Sequence, residues 1–444
     1  MQVSLQINAR WIITVDADDS VLESHAIIIQ DDTIIDILPQ QQANKYNPAE
    51  LIELNDHALA PGFINAHTHA AMSLLKGLAD DLPLDEWLND HIWPAETALA
   101  DGEFVKDGSE LAIAEMIRGG TTCFNDMYFF IDQTAAAVSH IGIRACIGIP
   151  IIDFPTRWAK DLNEYITKGL AVHERFHTNK LIDFTFAPHA PYTVSDESLK
   201  TIQPIMDELG LAMHIHAHET ENEVQQSIAE HGISPIERLK NLDFLSPDLM
   251  AVHMTALSEI DIQLLAEHRV NVIHCPESNL KLASGFCPIT DLFNAKINVA
   301  LGTDGSASNN DIDMLGEIRT AALLAKGLTN KADALPAKQA LRMATINGAK
   351  ALGLDKKIGS IEAGKQADMF AINLNSIETQ PIYDVISTLI YSANRSQISD
   401  VWVAGKRLMQ NHELVTIDEA ALIDKIKQWQ GKISPFHHQP NKAV

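Results

Sequence analysis

Short apolar runs alternate with segments of helical spacing over most of the chain. Eight runs read as strands, at about 58–67, 121–126, 143–150, 182–189, 211–216, 249–254, 271–276 and 298–304. Between them, in 108–119, 195–210 and 261–269, apolar residues recur every three or four positions, which predicts amphipathic helices. SDES at 195–198 supplies capping side chains for the second of these. Eight strands that each lead into a helix specify an α/β chain folded as a (β/α)8 TIM barrel. The ends follow another pattern. LQINARWIITVD and HAIIIQDDTIIDILP are rich in Ile, Val and Thr and bounded by turn residues, and IIIQDDTIID predicts a hairpin. VWVAGKRLM, near the other end, predicts a tight turn at its Ala-Gly-Lys. Both ends together therefore predict a small β-sandwich domain. The expected division is 1–57 for its first part, 58–356 for the barrel, and 357–444 for its second part plus a final amphipathic helix at 418–430. The Ala-rich stretch 320–352 would supply the barrel's closing helices.

Composition narrows the partners. The 444 residues carry a formal net charge of −26, which repels phosphate backbones and anionic lipid, so nucleic-acid and membrane-surface roles are not expected. No uncharged apolar run reaches the roughly 18 residues of a membrane span, and no secretory leader pattern opens the chain. Four cysteines without a CxxC pair fit a reducing cytoplasm.

Histidine, at 19 residues, changes the picture most. In a barrel, chemistry sits at the C-terminal ends of the strands. Those ends carry His67 and His69, then His189, His216 with Glu219 close behind, His253, and finally Asp304. Histidine is common enough here that one His-x-His triplet means little. The coincidence of His or acid at five strand ends is what carries weight. Side chains alternate along a strand, so His67 and His69 share a side and can grip one cation. His216 and Asp304 can complete a shell of three imidazoles and a carboxylate, which suits Zn²⁺ or Fe²⁺. No lysine ends the fourth strand to be carboxylated as a bridge between two metals. One divalent metal is therefore expected, with His189 left for substrate. His214 reads as a hydrogen-bonded core residue.

PGFINAHTH, HIHAHET, His253 and LGTDGSASNN, in that order, resemble the amidohydrolase superfamily. They fall in its branch of purine and cytosine deaminases and chlorotriazine hydrolases. GLADDLPLDEWLNDHIWPAE (77–96) is similar to the 5′-methylthioadenosine/S-adenosylhomocysteine deaminases. The resemblance implies hydrolytic deamination at C6 of an adenine nucleoside, in a cytoplasmic enzyme that is a homo-oligomer. Guanine or 8-oxoguanine deamination and triazine hydrolysis are the alternatives within the family. A barrel that had lost catalysis would lack ligands, and none is missing. The resemblance makes His67, His69, His216 and Asp304 the metal ligands, and Glu219 the proton carrier at the ring nitrogen. His253, with Asp304, would deprotonate the attacking water. Glu96 and His189 would contact the nucleoside, and Trp93 would help form an apolar wall for its 5′ group. One departure stands out. The family places an arginine shortly after the Arg144-Ala145 pair, whereas here the next arginine is Arg157. Arg157 becomes the candidate replacement, and the balance tilts toward 5′-methylthioadenosine or adenosine over S-adenosylhomocysteine.

Overall fold

A computed structural model describes residues 1–437, so 438–444 of the expected last span lie outside the described residues. The chain begins with β1 (Gln2–Ile13), β2 (Val21–Gln30), β3 (Thr33–Pro39) and β4 (Asn47–Pro61). Eight strands follow: β5 (Phe63–Thr68), β6 (Thr121–Met127), β7 (Arg144–Ile151), β8 (Ile182–Pro188), β9 (Ala212–Ala217), β10 (Leu249–His253), β11 (Asn271–His274) and β12 (Val299–Leu301). The last group is β13 (Met369–Asn373), β14 (Ile398–Val403), β15 (Lys406–Gln410) and β16 (Glu413–Leu414).

β5 to β12 pair in sequence order, each parallel to the next, with helices between them. This is the expected barrel. Its join between first and last strands is made by particular groups. Asp304 N donates to His67 O at 3.1 Å, and Thr303 N donates to Asn65 Oδ1 at 3.0 Å. Asn65 Nδ2 returns a bond to Thr303 Oγ1 at 2.8 Å. Gly302 allows this approach, since a Cβ there would stand 2.8 Å from His67 N.

The strands from both ends form one sheet of order β16-β15-β14-β13-β4-β1-β2-β3. Its core gathers Ile7, Ile12, Ile27, Leu59, Met369 and Trp402. The expected hairpin and the expected tight turn are both present. Gln30 faces Thr33 across Asp31-Asp32, and Val403 faces Lys406 across Ala404-Gly405, with positive φ at Asp31, Ala404 and Gly405.

One expected strand differs. The run 58–67 is divided between the two sheets, because β4 pairs with β1 and β13 while β5 opens the barrel. The chain crosses at Gly62, where a Cβ would meet Thr122 Oγ1 at 2.0 Å. Continuous apolar character hid this switch, since residues on both sides of it are buried. Among the described residues, no helix is long and apolar enough to cross a membrane.

A buried ion pair welds sheet to barrel. Arg144, at the start of β7, donates from Nε to Asp368 Oδ2 at 2.9 Å and from Nη2 to Gln366 Oε1 at 2.7 Å. Both charged side chains are almost fully buried. Removing one partner strands the other charge. Arg144→Met is therefore expected to cost about 3–5 kcal/mol, read as a lowered midpoint in urea or thermal unfolding. An unchanged midpoint would show that the weld lies elsewhere.

Candidate metal centre and active site

Strand alternation builds the centre. On β9, Met213 and Ile215 join the outer core, while His214 and His216 face His67. Four ring and carboxylate atoms converge. His67 Nε2 and His69 Nε2 each lie 3.2 Å from Asp304 Oδ1, and His216 Nε2 lies 3.2 Å from both imidazole nitrogens. A tetrahedron with bonds of roughly 2.0–2.1 Å needs donor separations of about 3.3 Å. The donor set thus fits one borderline divalent cation in both chemistry and spacing.

The outer atoms of these ligands are also engaged, which leaves each Nε2 free to coordinate. His69 Nδ1 meets Met127 O at 2.6 Å, and His216 Nδ1 meets His189 O at 2.6 Å. His67 Nδ1 meets His214 Nε2 at 2.9 Å, in keeping with the reading of His214 as a hydrogen-bonded core residue. Asp304 Oδ2 accepts from Ser278 Oγ at 2.7 Å and from Ser308 Oγ at 2.8 Å. Burial lowers His67 to about 4, so it is a neutral donor. Burial also presses on His69, but the bond to Asp304 outweighs it and carries His69 up to about 9. Asp304 is held well below its usual range, because the bonds from His67 and His69 overcome its own burial.

His253 approaches the same point from farther back. Its ring nitrogen, those of His67 and His216, and an Asp304 oxygen all lie within 4.8 Å of one another. The 3.2 Å contacts make His69 the closer fourth corner, leaving His253 beside the cage. His253 Nδ1 donates to Asn279 Oδ1 at 2.8 Å, and its Nε2 lies 3.7 Å from Glu219 Oε2. Asp304, His253 and His218 all adopt positive φ, a strained backbone of the kind that collects at functional sites. Burial raises Glu219 above the ordinary carboxylate range.

The cage floors a cavity of about 470 Å³ whose lining is mainly apolar. His189, Glu96, Trp93 and Arg157 all line it. His189 Nδ1 meets Thr193 Oγ1 at 2.9 Å, and burial takes the ring down to about 3, so it is neutral. Glu96 accepts from Tyr128 Oη at 2.6 Å, and burial raises its carboxyl above the usual range despite that bond. Trp93 packs edge-on to Phe154, with ring centres 6.0 Å apart. Arg157 is already occupied. It donates to Ala98 O at 2.6 Å and lies 3.6 Å from Asp101 Oδ2.

Sequence reasoning passed over several supporting groups. Asp126 Oδ1 accepts from Ala70 N at 2.7 Å and from Thr68 Oγ1 at 3.0 Å, so it shapes the backbone on both sides of His69. It ends a barrel strand, and the strand-end rule could have found it. Tyr128 follows β6 directly and was open to the same rule. Ser278 and Asn279, inside the Pro276–Lys281 helix, and Ser308 gave no comparable signal.

Comparison with known proteins fits this geometry. The Amidohydrolase family pattern matches residues 58–408. A protein of Saccharophagus degradans named 5-methylthioadenosine/S-adenosylhomocysteine deaminase is 48% identical over 97% of this chain and 96% of its own length. A 5′-deoxyadenosine deaminase of Methanosarcina acetivorans is 40% identical over 95% of this chain and 96% of its own length. The crystal structure of an adenosine deaminase from Xanthomonas campestris with bound zinc superposes with a TM-score of 0.96 at 49% identity, covering 98% of this chain and 99% of that one. With a barrel of this order, a cage of this composition and likeness running from end to end, the chain belongs to the amidohydrolase family.

Proposed function

We propose that this protein hydrolytically deaminates an adenine nucleoside at C6, giving the inosine analogue and ammonia. The observation that carries the reading is a pair of acids in one cavity, Glu219 buried and Glu96 half-buried. Glu219 beside the cage and Glu96 in the wall line one apolar cavity, so ring chemistry and ribose recognition can share a single bound molecule. The named activities of the relatives support the same reaction class.

His67, His69, His216 and Asp304 would hold the ion. Zn²⁺ suits three imidazoles and a carboxylate, and the Xanthomonas structure contains zinc. The ion supplies Lewis acidity that makes water nucleophilic at neutral pH. His253 and Asp304 orient that water and take its proton. Water adds at C6 and the ring loses aromaticity, so N1 must gain a proton. Glu219 delivers it, and its buried, raised carboxyl is suited to carrying one. The proton taken from the water passes to the amine, the C6–N bond breaks to release ammonia, and the C6 hydroxyl returns its proton to Glu219 as the carbonyl forms.

Glu96 receives the two ribose hydroxyls, since a carboxylate offers two acceptors to a vicinal diol. His189 contacts the base. Trp93 and Phe154 form a wall for the 5′ group. Arg157 already serves Ala98 and Asp101, which favours a neutral 5′ substituent such as methylthio over the charged amino-acid end of S-adenosylhomocysteine. The four cysteines are buried free thiols, in keeping with a cytoplasmic setting.

Metal-loaded protein is expected to release ammonia from 5′-methylthioadenosine and adenosine, but not from guanine or 8-oxoguanine. Glu96→Gln is expected to raise KM for the nucleoside about 10-fold to 100-fold, since a charge-assisted hydrogen bond contributes about 1.5–3 kcal/mol. Equal turnover of free adenine and its nucleoside would overturn the assignment.

A further inference from the structure

Glu219 sits on a short bridge between β9 and the Glu221–His231 helix, and that bridge is clamped on both sides. On one side, Thr255 Oγ1 donates to Glu219 O at 2.7 Å, and Thr255 N donates to His218 O at 2.9 Å. His218, at φ 50, is itself fixed by Ala256 O at 2.9 Å and by Ile236 N at 3.1 Å. On the other side, Glu219 N donates to Glu223 Oε2 at 2.7 Å.

The Glu223 bond is unusual for a helix start. Thr220 is the N-cap and accepts from Glu223 N, so Glu223 holds the third helical position. A glutamate there ordinarily folds back onto the N–H of the cap residue itself. Glu223 reaches one residue further and takes the N–H of Glu219, with the Thr220 N–H also beside its carboxyl. It does so inside the protein, at 6% exposure, and its Oε1 has no partner among the described residues. Burying a carboxyl with one oxygen unsatisfied costs stability. A solvent-facing acid would cap the helix equally well without that cost. The arrangement therefore serves Glu219 as well as the helix.

We propose that Glu223 is a positioning residue: by accepting the Glu219 amide N–H in a buried setting, it fixes the backbone from which the Glu219 carboxyl is aimed beside His253. Burial, reinforced by the nearby Glu219, raises Glu223 to about 8. The role assigned to Glu219 rests on the deaminase reading above, whereas the hydrogen bond and its geometric consequence do not.

The test compares full-length, metal-loaded wild type with Glu223→Ala and Glu223→Gln. Glutamine keeps an acceptor oxygen for the Glu219 N–H, and alanine does not. Hydrogen–deuterium exchange of the segment containing the Glu219 amide should speed up in the alanine variant and stay near wild type in the glutamine variant. Metal content should be the same in all three. With 5′-methylthioadenosine, kcat of the alanine variant should fall about 100-fold, the order expected for an ångström-scale misplacement, while KM changes by less than roughly threefold. The glutamine variant should recover most of that loss. Wild-type exchange in the alanine variant would overturn the proposal. So would loss of metal in that variant, or a glutamine variant as impaired as alanine. If the wild type deaminates no nucleoside, the functional reading fails, and the exchange comparison still decides the role of Glu223.

Discussion

Glu219→Gln is expected to lower kcat for nucleoside deamination by about 10²–10⁴-fold, the span of general acid–base catalysis, while the bound ion stays in place. The reason lies in what the side chain does not touch. The cage closes through His67, His69, His216 and Asp304 at 3.2 Å contacts, and Glu219 is not among them. Its near neighbour is His253, at 3.7 Å. Glutamine is close to isosteric and keeps an acceptor, but it cannot hand a proton to a ring nitrogen. Substrate should still bind, so the loss should fall on kcat. Metal analysis of the purified variant beside steady-state ammonia release separates the two effects. A kcat near wild type would remove Glu219 from the chemistry. Loss of the ion would mean that Glu219 supports the cage instead.

The second large effect is at Asp304. Asp304→Ala is expected to abolish both ion retention and turnover, with activity down by more than about 10³-fold because nucleophile generation depends on the ion. Asp304 Oδ1 faces His67 and His69, and Oδ2 accepts from Ser278 and Ser308. Removing the carboxylate takes away the only negative charge in the cage and leaves the buried Ser278 hydroxyl without its acceptor, whereas Ser308 keeps Gly305 O at 3.0 Å. Metal content after dialysis and ammonia release are the two measurements. A variant that keeps a full complement of ion would show that the three imidazoles suffice, leaving Asp304 with the water alone.

How far these features could be read from the sequence depended on the distance over which each is set. Period-two strands announce which residues share a face, so the pairing of His67 with His69 needed no structure, and the eightfold alternation was enough for the barrel. Two-residue turns such as Asp31-Asp32 and Ala404-Gly405 are local as well. The handover at Gly62 was not legible, because it depends on Thr122 pressing against that one position from another strand. Nor was Glu223. In sequence it is one acid among several at a helix start, where a solvated carboxylate is the ordinary expectation. Only the packed fold turns it inward to meet Glu219. Arg157 teaches the same lesson from the other side. Its type suggested an anion in the cavity, and only the packed fold shows that it also donates to Ala98 O and lies beside Asp101.

The join between the first and last barrel strands has a consequence for assembly. His67 and His69 stand on one bank of it and Asp304 on the other, separated by 237 positions between His67 and Asp304. The cage cannot exist until the two banks meet, and meeting them means closing the longest loop in the barrel. An ion held there acts as a rivet across that seam. Whatever draws the banks together tightens the grip on the ion, and whatever holds the ion resists the parting of the banks. Resistance to unfolding and readiness for catalysis are thus tied together in one place.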